Sequence, residues 1–266
     1  MWTPRGPLQL AQGARGNDAP HCCTHCIHQT KVVVAMSGGV DSSVTALLLQ
    51  RTGRFAVSGL YMHNWDERDE QGDAVCRGEQ DWADAQHVAR LIGVPIRRVD
   101  YVKEYWNDVF EPLLAGYRNG ATPNVDLLCN REIKFNVFLR DALRRGQGGQ
   151  QQAYDAVATG HYARVGVLTN QGSPHPVLLR ARDKLRDQAY FLAAIDPKAL
   201  ENVVFPIGDM TKEQVRQIAK DAGLPVAAKP KSVGLCFVGK RRSFADFLGT
   251  SVFFLFFYLF IYLHVF

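Results

Sequence analysis

The sequence predicts an α/β fold, a mostly parallel sheet with helices packed against it. Three observations lead there. Short apolar, β-branched runs alternate with segments of helical periodicity. The first run passes directly into a glycine turn and then a helix. The 266 residues are 47% hydrophobic and 21% charged, a globular mixture that excludes collagenous, coiled-coil or wholly disordered chains.

The elements follow in order. Val32–Met36 is apolar throughout, as a strand buried on both faces must be. Ser42–Arg51 places Val44, Leu47 and Leu48 on one helical face, and Ala56–Met62 reads as the second strand. In Asp81–Ile92, Ala85, Val88, Ala89 and Ile92 form a helical stripe; Ile96–Val99 is a third strand and Lys103–Tyr117 another helix. Glu132–Arg144 is helical, Gly146–Gln152 is a polar loop, and Ala156–Thr159 is a short buried strand. Ala163–Thr169 and Val177–Arg182 form a hairpin around Asn170, Gly172 and Pro174. Thr211–Ala222 is a helix opened by a Thr211-x-x-Gln214 capping box and closed by Gly223. A soft domain boundary is expected at Val203–Gly208.

The ends differ from this body. Residues 1–30 form an acid-poor leader without periodicity, expected to be disordered or a transit segment. Its cluster His21, Cys22, Cys23, His25, Cys26 and His28 contains one C-x-x-C without a second, so no metal site is expected there. Six cysteines are too few for a disulfide scaffold in a chain of this length, and Cys76 is expected to be structural. Residues 249–266 form an atypical hydrophobic tail. The uncharged stretch from Phe247 to Phe266 just reaches membrane-spanning length, but Gly249, Thr250 and Ser251 interrupt it and no basic anchor follows. The expectation is an alternative end, without membrane association.

Chemistry concentrates first in Ser37-Gly38-Gly39-Val40-Asp41-Ser42, between strand and helix. Two glycines let backbone N–H groups approach an anion, and the following helix offers its unpaired amides to phosphate. Ser37, Ser42 and Ser43 add hydroxyls, and Asp41 is placed to orient the loop or to meet nucleotide-bound magnesium. No G-x-x-x-x-G-K-[ST] is present, so this is not a Walker A loop. A second concentration is a pair of cysteines. Cys129 and Cys236 are each flanked by Gly, Pro or Asn, and are therefore expected in loops. Two thiols that meet in space pass sulfur on when one carries a persulfide and the other attacks it, leaving a disulfide. Asp126, three residues before Cys129, suits general acid–base work. Between Ala222 and Ala245, Lys229, Lys231, Lys240, Arg241 and Arg242 are accompanied by no acidic residue. Such a field favours a thiolate and attracts RNA phosphates, concentrating the chain's formal charge of +5.

The strand–SGGVDS–helix unit resembles the pyrophosphate loop of the N-type ATP pyrophosphatases, whose fold is that of the adenine nucleotide alpha hydrolases. Met62-His63-Asn64-Trp65-Asp66, Thr122–Phe135, Ala158–Arg164, Asp187–Leu192 and Gly234–Gly239 narrow the resemblance to the tRNA-specific 2-thiouridylases, from about Val32 to Leu248. Tyr101–Phe110 is most similar to the eukaryotic mitochondrial members, which implies a mitochondrial location. The resemblance implies a catalytic domain over 31–205 and a partial central domain over 206–248 bearing the second cysteine. Family members continue into a β-barrel-like domain, so the chain is expected to be C-terminally truncated.

The implied reaction is ATP-dependent replacement of the C2 oxygen of the wobble uridine by sulfur. ATP with magnesium is expected on Ala35, Met36, Ser37, Gly38, Gly39, Val40, Asp41 and Ser42, with Met62 and Gly160 beside the adenine. Asn124, Val125 and Asp126 are expected at the target base, and Arg186, Asp187 and Gln188 on the tRNA. Cys236 is implied as the persulfide carrier, charged by an upstream donor, and Cys129 as its partner in a transient disulfide. The implied enzyme is a monomer. Val125 stands where the family usually has Pro, and Arg186 where it has Lys. Two other readings stay open: a synthetase of the same loop class acting on a small metabolite, and a chain that binds ATP or tRNA without turnover.

Overall fold

The computed structural model describes residues 29–65, 77–144, 154–170 and 173–230. The leader cluster, Cys76, the Gly146–Gln152 loop, Lys231, Cys236, Lys240, Arg241, Arg242 and the hydrophobic tail lie outside them.

Strand β1 (Thr30–Ala35) is the centre of a five-stranded sheet with β2 (Phe55–His63), β3 (Ile96–Asp100), β4 (Ala156–Thr159) and β7 (Val203–Val204). The order is β3-β2-β1-β4-β7. Every pairing is parallel. Val32, Val33 and Val34 have no exposed surface, which explains the unbroken apolar run: a parallel strand here has no solvent face. Alternate residues serve two cores. Val33 and Ala35 join Val125, Cys129, Ile133 and Phe138 on one face. Val32, Val34 and Met36 join Val40, Val44, Val215 and Ala219 on the other.

Helix α1 (Val40–Arg51) follows β1, and α2 (Arg77–Ile92) follows β2. The single stripe expected on α1 is an understatement. Ser42, Ser43, Thr45, Ala46 and Leu49 are buried beside Val44 and Leu47, because α2 and α8 (Lys212–Asp221) flank the helix while the sheet lies beneath it. The helix expected at Lys103–Tyr117 runs as α3 (Val102–Tyr105), a π-helical turn (Trp106–Phe110) and α4 (Glu111–Arg118).

The largest departure lies at the first cysteine. The helix expected from Glu132 begins as α5 (Val125–Leu128), becomes π-helical over Cys129–Val137, and ends as α6 (Phe138–Leu143). Cys129 therefore opens a helical segment and is 5% exposed, where a loop was expected. Asn124 is the reason: its side-chain oxygen accepts from the Leu127 N–H at 3.2 Å and starts the helix upstream.

Strands β5 (Ala163–Asn170) and β6 (Ser173–Arg180) form a separate antiparallel pair. The second strand begins at Ser173, earlier than expected, since a strand with a free edge tolerates Pro174 and Pro176. α7 (Ala189–Leu192) and a 3-10 turn (Pro197–Glu201) lead to β7. Beyond Gly208, the expected capping box forms: Thr211 Oγ1 accepts from Gln214 N, and Gln214 Oε1 accepts from Thr211 N. Val215, Ala219, Leu224 and Val226 then pack into the α1 core.

Candidate active site

β1 pairs with β2 on one side and β4 on the other, so the chain leaves β1 at the point where strand order reverses. Crevices at the carboxyl ends of strands beside such a point are where open α/β sheets take ligands. Ser37–Asp41 occupies that place. Gly38 has φ of 72°, and a Cβ there would lie 2.1 Å from the Asp81 carbonyl oxygen; only glycine fits. Gly39 is the N-cap of α1 and supplies no side-chain cap, so the first-turn amides of the helix carry no capping side chain. Ser42 Oγ accepts from Ser37 N at 3.1 Å and donates to the Gly39 carbonyl, curling the loop over the helix start. Ala35 and Met36 are buried, and Met36 N donates to Leu60 O. The loop's outward groups are Ser37 and Gly39.

Two lysines hold this loop. Lys212 Nζ donates to both oxygens of Asp41, at 2.6 and 2.8 Å, and Tyr162 Oη donates to the same carboxylate at 3.0 Å. Burial, together with the charge and hydrogen bond of Asp41, pushes the Tyr162 phenol well above its ordinary range. Lys229 Nζ donates to Gly38 O at 2.9 Å, to Asp81 at 2.7 Å and to Asp84. Burial alone would lower that ammonium's pKa, but the two carboxylates outweigh it and the net shift is upward. Lys229 was expected among the cations around Cys236. Cys236 lies outside the described residues; within them Lys229 is paired with the α2 carboxylates, whose charge it needs in a half-buried position.

The end of β4 connects this loop to the cysteine segment. Gly160 abuts α1, and a Cβ on it would meet Ser42 N at 2.7 Å. Tyr162 turns toward Asp41. His161 turns the other way, between the Phe135 and Phe205 rings, with Nδ1 2.7 Å from Thr159 Oγ1. Burial, with the nearby Lys134 charge, holds that imidazole neutral, its pKa well below the usual histidine value. Lys134 Nζ donates to Asn130 Oδ1 at 3.0 Å, and Asn130 Nδ2 donates to Phe191 O at 2.9 Å. The turn following Cys129 is thus fixed to both β4 and α7.

The other expected residues are distributed as follows. Asp126 is exposed and stands on the same short helix as buried Val125. Asn124 caps that helix. Asp187 Oδ1 accepts from Ala181 N and Ala189 N, and Gln188 exchanges hydrogen bonds with the Tyr162 backbone. These two have positions in the fold whatever else they touch, and Arg186 is partly exposed beside them. Met62 is half-buried at the carboxyl end of β2. Cys236 lies outside the described residues.

Sequence reasoning overlooked Lys212 and Lys229 as partners of the loop, and His161 and Lys134 as the connection beneath it. Lys212 did carry a signal. A lysine at the first position of a helix opposes the helix dipole, so an acidic partner is implied.

A nucleotide fits the loop: Gly38 admits no Cβ, the Ser37 hydroxyl is outward, and the helix N-terminus has no side-chain cap, whereas the expected Ser42 and Ser43 hydroxyls are buried and donate to the Gly39 carbonyl. A protein cage for magnesium does not. Asp41 is already paired with Lys212 and Tyr162, and among the described residues no group of three or more His, Cys, Asp or Glu gathers at one point.

A family model described as the tRNA methyl transferase HUP domain matches residues 30–240. The tRNA-specific 2-thiouridylase MnmA of Levilactobacillus brevis is 49% identical over 222 residues, which is 84% of this chain and 56% of the relative. The protein of the same name from Bacillus thuringiensis (strain Al Hakam) is 46% identical over 223 residues, with the same shares. The chain spans about half the length of the curated relatives it matches. Among solved structures, the U34-tRNA thiolase NcsA from Methanococcus maripaludis shares 14% identity at a TM-score of 0.46, over 78% of this chain and 62% of that one. An NH3-dependent NAD synthetase from Campylobacter jejuni shares 15% at 0.38, over 74% of this chain and 65% of that one.

Proposed function

The chain belongs to the tRNA methyl transferase HUP-domain family, and from that premise we propose that it thiolates tRNA, exchanging the C2 oxygen of the wobble uridine for sulfur at the cost of ATP. The relatives named for 2-thiouridine synthesis support this chemistry over the methyl transfer in the family's title. The observation that carries the reading is the β4 end. One short peptide, Thr159–Tyr162, seats the phosphate loop through Gly160 and Tyr162 and the Cys129 segment through His161. Nucleotide and sulfur chemistry therefore share one support.

In this reading the phosphates of ATP lie on the amides of Gly38, Gly39 and the α1 N-terminus; magnesium bound with the nucleotide would neutralise phosphate charge, and no protein residue is assigned to hold it. Met62 and Gly160 flank the adenine. The uridine C2 oxygen attacks the α-phosphate and pyrophosphate leaves. The terminal sulfur of a Cys236 persulfide attacks C2 and AMP departs. Cys129 then attacks Cys236 Sγ, the sulfur–sulfur bond to the nucleotide breaks, and a Cys129–Cys236 disulfide remains. Asp126, in the exposed first turn of α5, moves the proton at the base. A reducing thiol reopens the Cys129–Cys236 disulfide by exchange, an upstream persulfide protein then recharges the freed Cys236 thiolate, and the unit acts as a monomer. The similarity of Tyr101–Phe110 to mitochondrial members supports action in mitochondria, which imaging of a C-terminally tagged chain checks.

The test is mass spectrometry of wobble uridine after incubation of the chain with tRNA, ATP, a persulfide-bearing donor protein and a reducing thiol. Cys129→Ser and Cys236→Ser are each expected to abolish 2-thiouridine. Undiminished product from both variants would overturn the thiolation mechanism.

A further inference from the structure

We infer that Tyr190 is the ring on which the extruded uracil stacks. The inference rests on the tRNA-thiolation reading and gives a role to a residue of the Asp187–Leu192 motif that had none. Isolated exposed aromatics are ordinary, but the mounting of this one is not. Tyr190 is 66% exposed, whereas Leu192, two residues on, is 1% exposed. The four-residue helix that carries it is anchored at its start by Asp187 Oδ1, which accepts from Ala189 N at 3.2 Å. Near its end Asn130 Nδ2 donates to Phe191 O at 2.9 Å, and Asn130 directly follows Cys129. The same helix packs against Val125–Leu128, which bears Asp126, and against the π-helical segment that Cys129 opens. Phe191 meets the Tyr190 ring at 5.3 Å and 80°.

An exposed ring is thus fixed to the elements that bear the proposed acid–base residue and the proposed thiol. Exposed cations stand on the segments joined to this helix: Arg180, 89% exposed, lies 3.8 Å from Asp187 at the helix start, Lys184 is exposed on the intervening turn, and Arg131, 48% exposed and paired with Glu132, follows Asn130. A uracil that has left the anticodon stack loses its neighbours' π-contacts, and an aromatic side chain at the reaction centre replaces them. Stacking serves any base, so this ring holds the nucleotide while hydrogen-bonding groups identify it.

Two measurements test the assignment. An anticodon stem–loop RNA with 5-bromouridine at the wobble position is irradiated with the full chain, and the crosslinked peptide is mapped; attachment to Tyr190 is expected. In steady-state thiolation, Tyr190→Ala is expected to lower kcat/KM for tRNA roughly five- to hundredfold, while Tyr190→Phe and Tyr190→Trp stay within about twofold. A wild-type-like Tyr190→Ala enzyme, or a crosslink confined to other peptides, overturns the assignment and leaves thiolation standing. A defect seen with a persulfide-donor protein but not with sulfide would assign the ring to that donor and also overturn it. A wild-type chain that neither binds the stem–loop nor thiolates tRNA overturns this inference together with the reading beneath it.

Discussion

Asp41 shows how a single side chain is made to serve a nucleotide loop. Its charge is balanced by Lys212 and its carboxylate is oriented by Tyr162, so this one side chain ties the loop to α8 and to the end of β4. Lys212→Met leaves a largely buried carboxylate without its cation. Because Asp41 keeps about a third of its side-chain surface, the expected loss is about 2 kcal/mol, below the value for a fully enclosed pair. Urea unfolding should show it, and Asp41→Asn in the same background should recover part of it. His161 gives a second expectation, with its sign fixed by linkage. The folded-state pKa is depressed, so below about pH 6.5 the unfolded chain takes up a proton that the folded chain refuses. Stability attributable to this residue is complete above pH 6.5 and falls toward the folded-state pKa, by up to about 1.4 kcal/mol per pH unit. His161→Gln should flatten that slope between pH 5 and 7, as read from denaturation midpoints. Of these residues, Asp41 was legible in its motif. Lys212 implied an acidic partner by its place at a helix start but not which one, and His161 gave no signal, because Asp41 and the Phe135 and Phe205 rings reach them only through the fold.

At the scale of elements, the loop works because β4 ends against the first turn of α1. Gly160→Ala places a methyl 2.7 Å from Ser42 N and 2.9 Å from the Asp41 carbonyl carbon, neither of which is a flexible side chain. The turn must shift, and ATP affinity is expected to fall at least tenfold while far-ultraviolet circular dichroism stays unchanged; calorimetric titration with a non-hydrolysable ATP analogue checks it. Gly53→Ala is the comparison with open space around the new methyl, although its φ of 63° carries its own strain. The strands and the β1–loop–α1 unit were legible because their signals are local: β-branched runs, glycine pairs, capping boxes. The helix around Cys129 was not. Pro123, Asn124 and Asn130 read as loop formers, yet Asn124 caps a helix and Asn130 is used in a tertiary contact. A π-helical stretch has no distinctive composition, since it trades regular geometry for side-chain placement. Its position, opening at the proposed sulfur-handling residue, is in keeping with the frequent association of such stretches with functional sites.

Across the whole molecule, the sheet separates two tasks and the β4 end rejoins them. The α1 core occupies one face and the Cys129 core the other. Alternation past Thr159 sends His161 to the Phe135 and Phe205 rings on one side and Tyr162 to Asp41 on the other, so this peptide contacts both layers. Under the proposed function, RNA approaches the rim where both layers end. Arg180 keeps 89% of its side-chain surface exposed, and Arg182 and Lys184 beside it are exposed as well. Asp187 lies 3.8 Å from Arg180, too far for a strong pair and therefore little hindrance to phosphate. Each phosphate neutralised releases counterions, contributing about −0.9 to the slope of log affinity against log salt on duplex RNA-like segments and about −0.7 on single strands. Arg180→Glu with Lys184→Glu should make that slope shallower by about 1 to 2 and weaken binding at low salt, as measured by filter binding of tRNA between 50 and 200 mM salt. Thiolation at saturating tRNA should be nearly unchanged, because these side chains attract the backbone and leave the reacting base to Asp126 and the cysteines. An unchanged slope would move the RNA-binding surface off this hairpin.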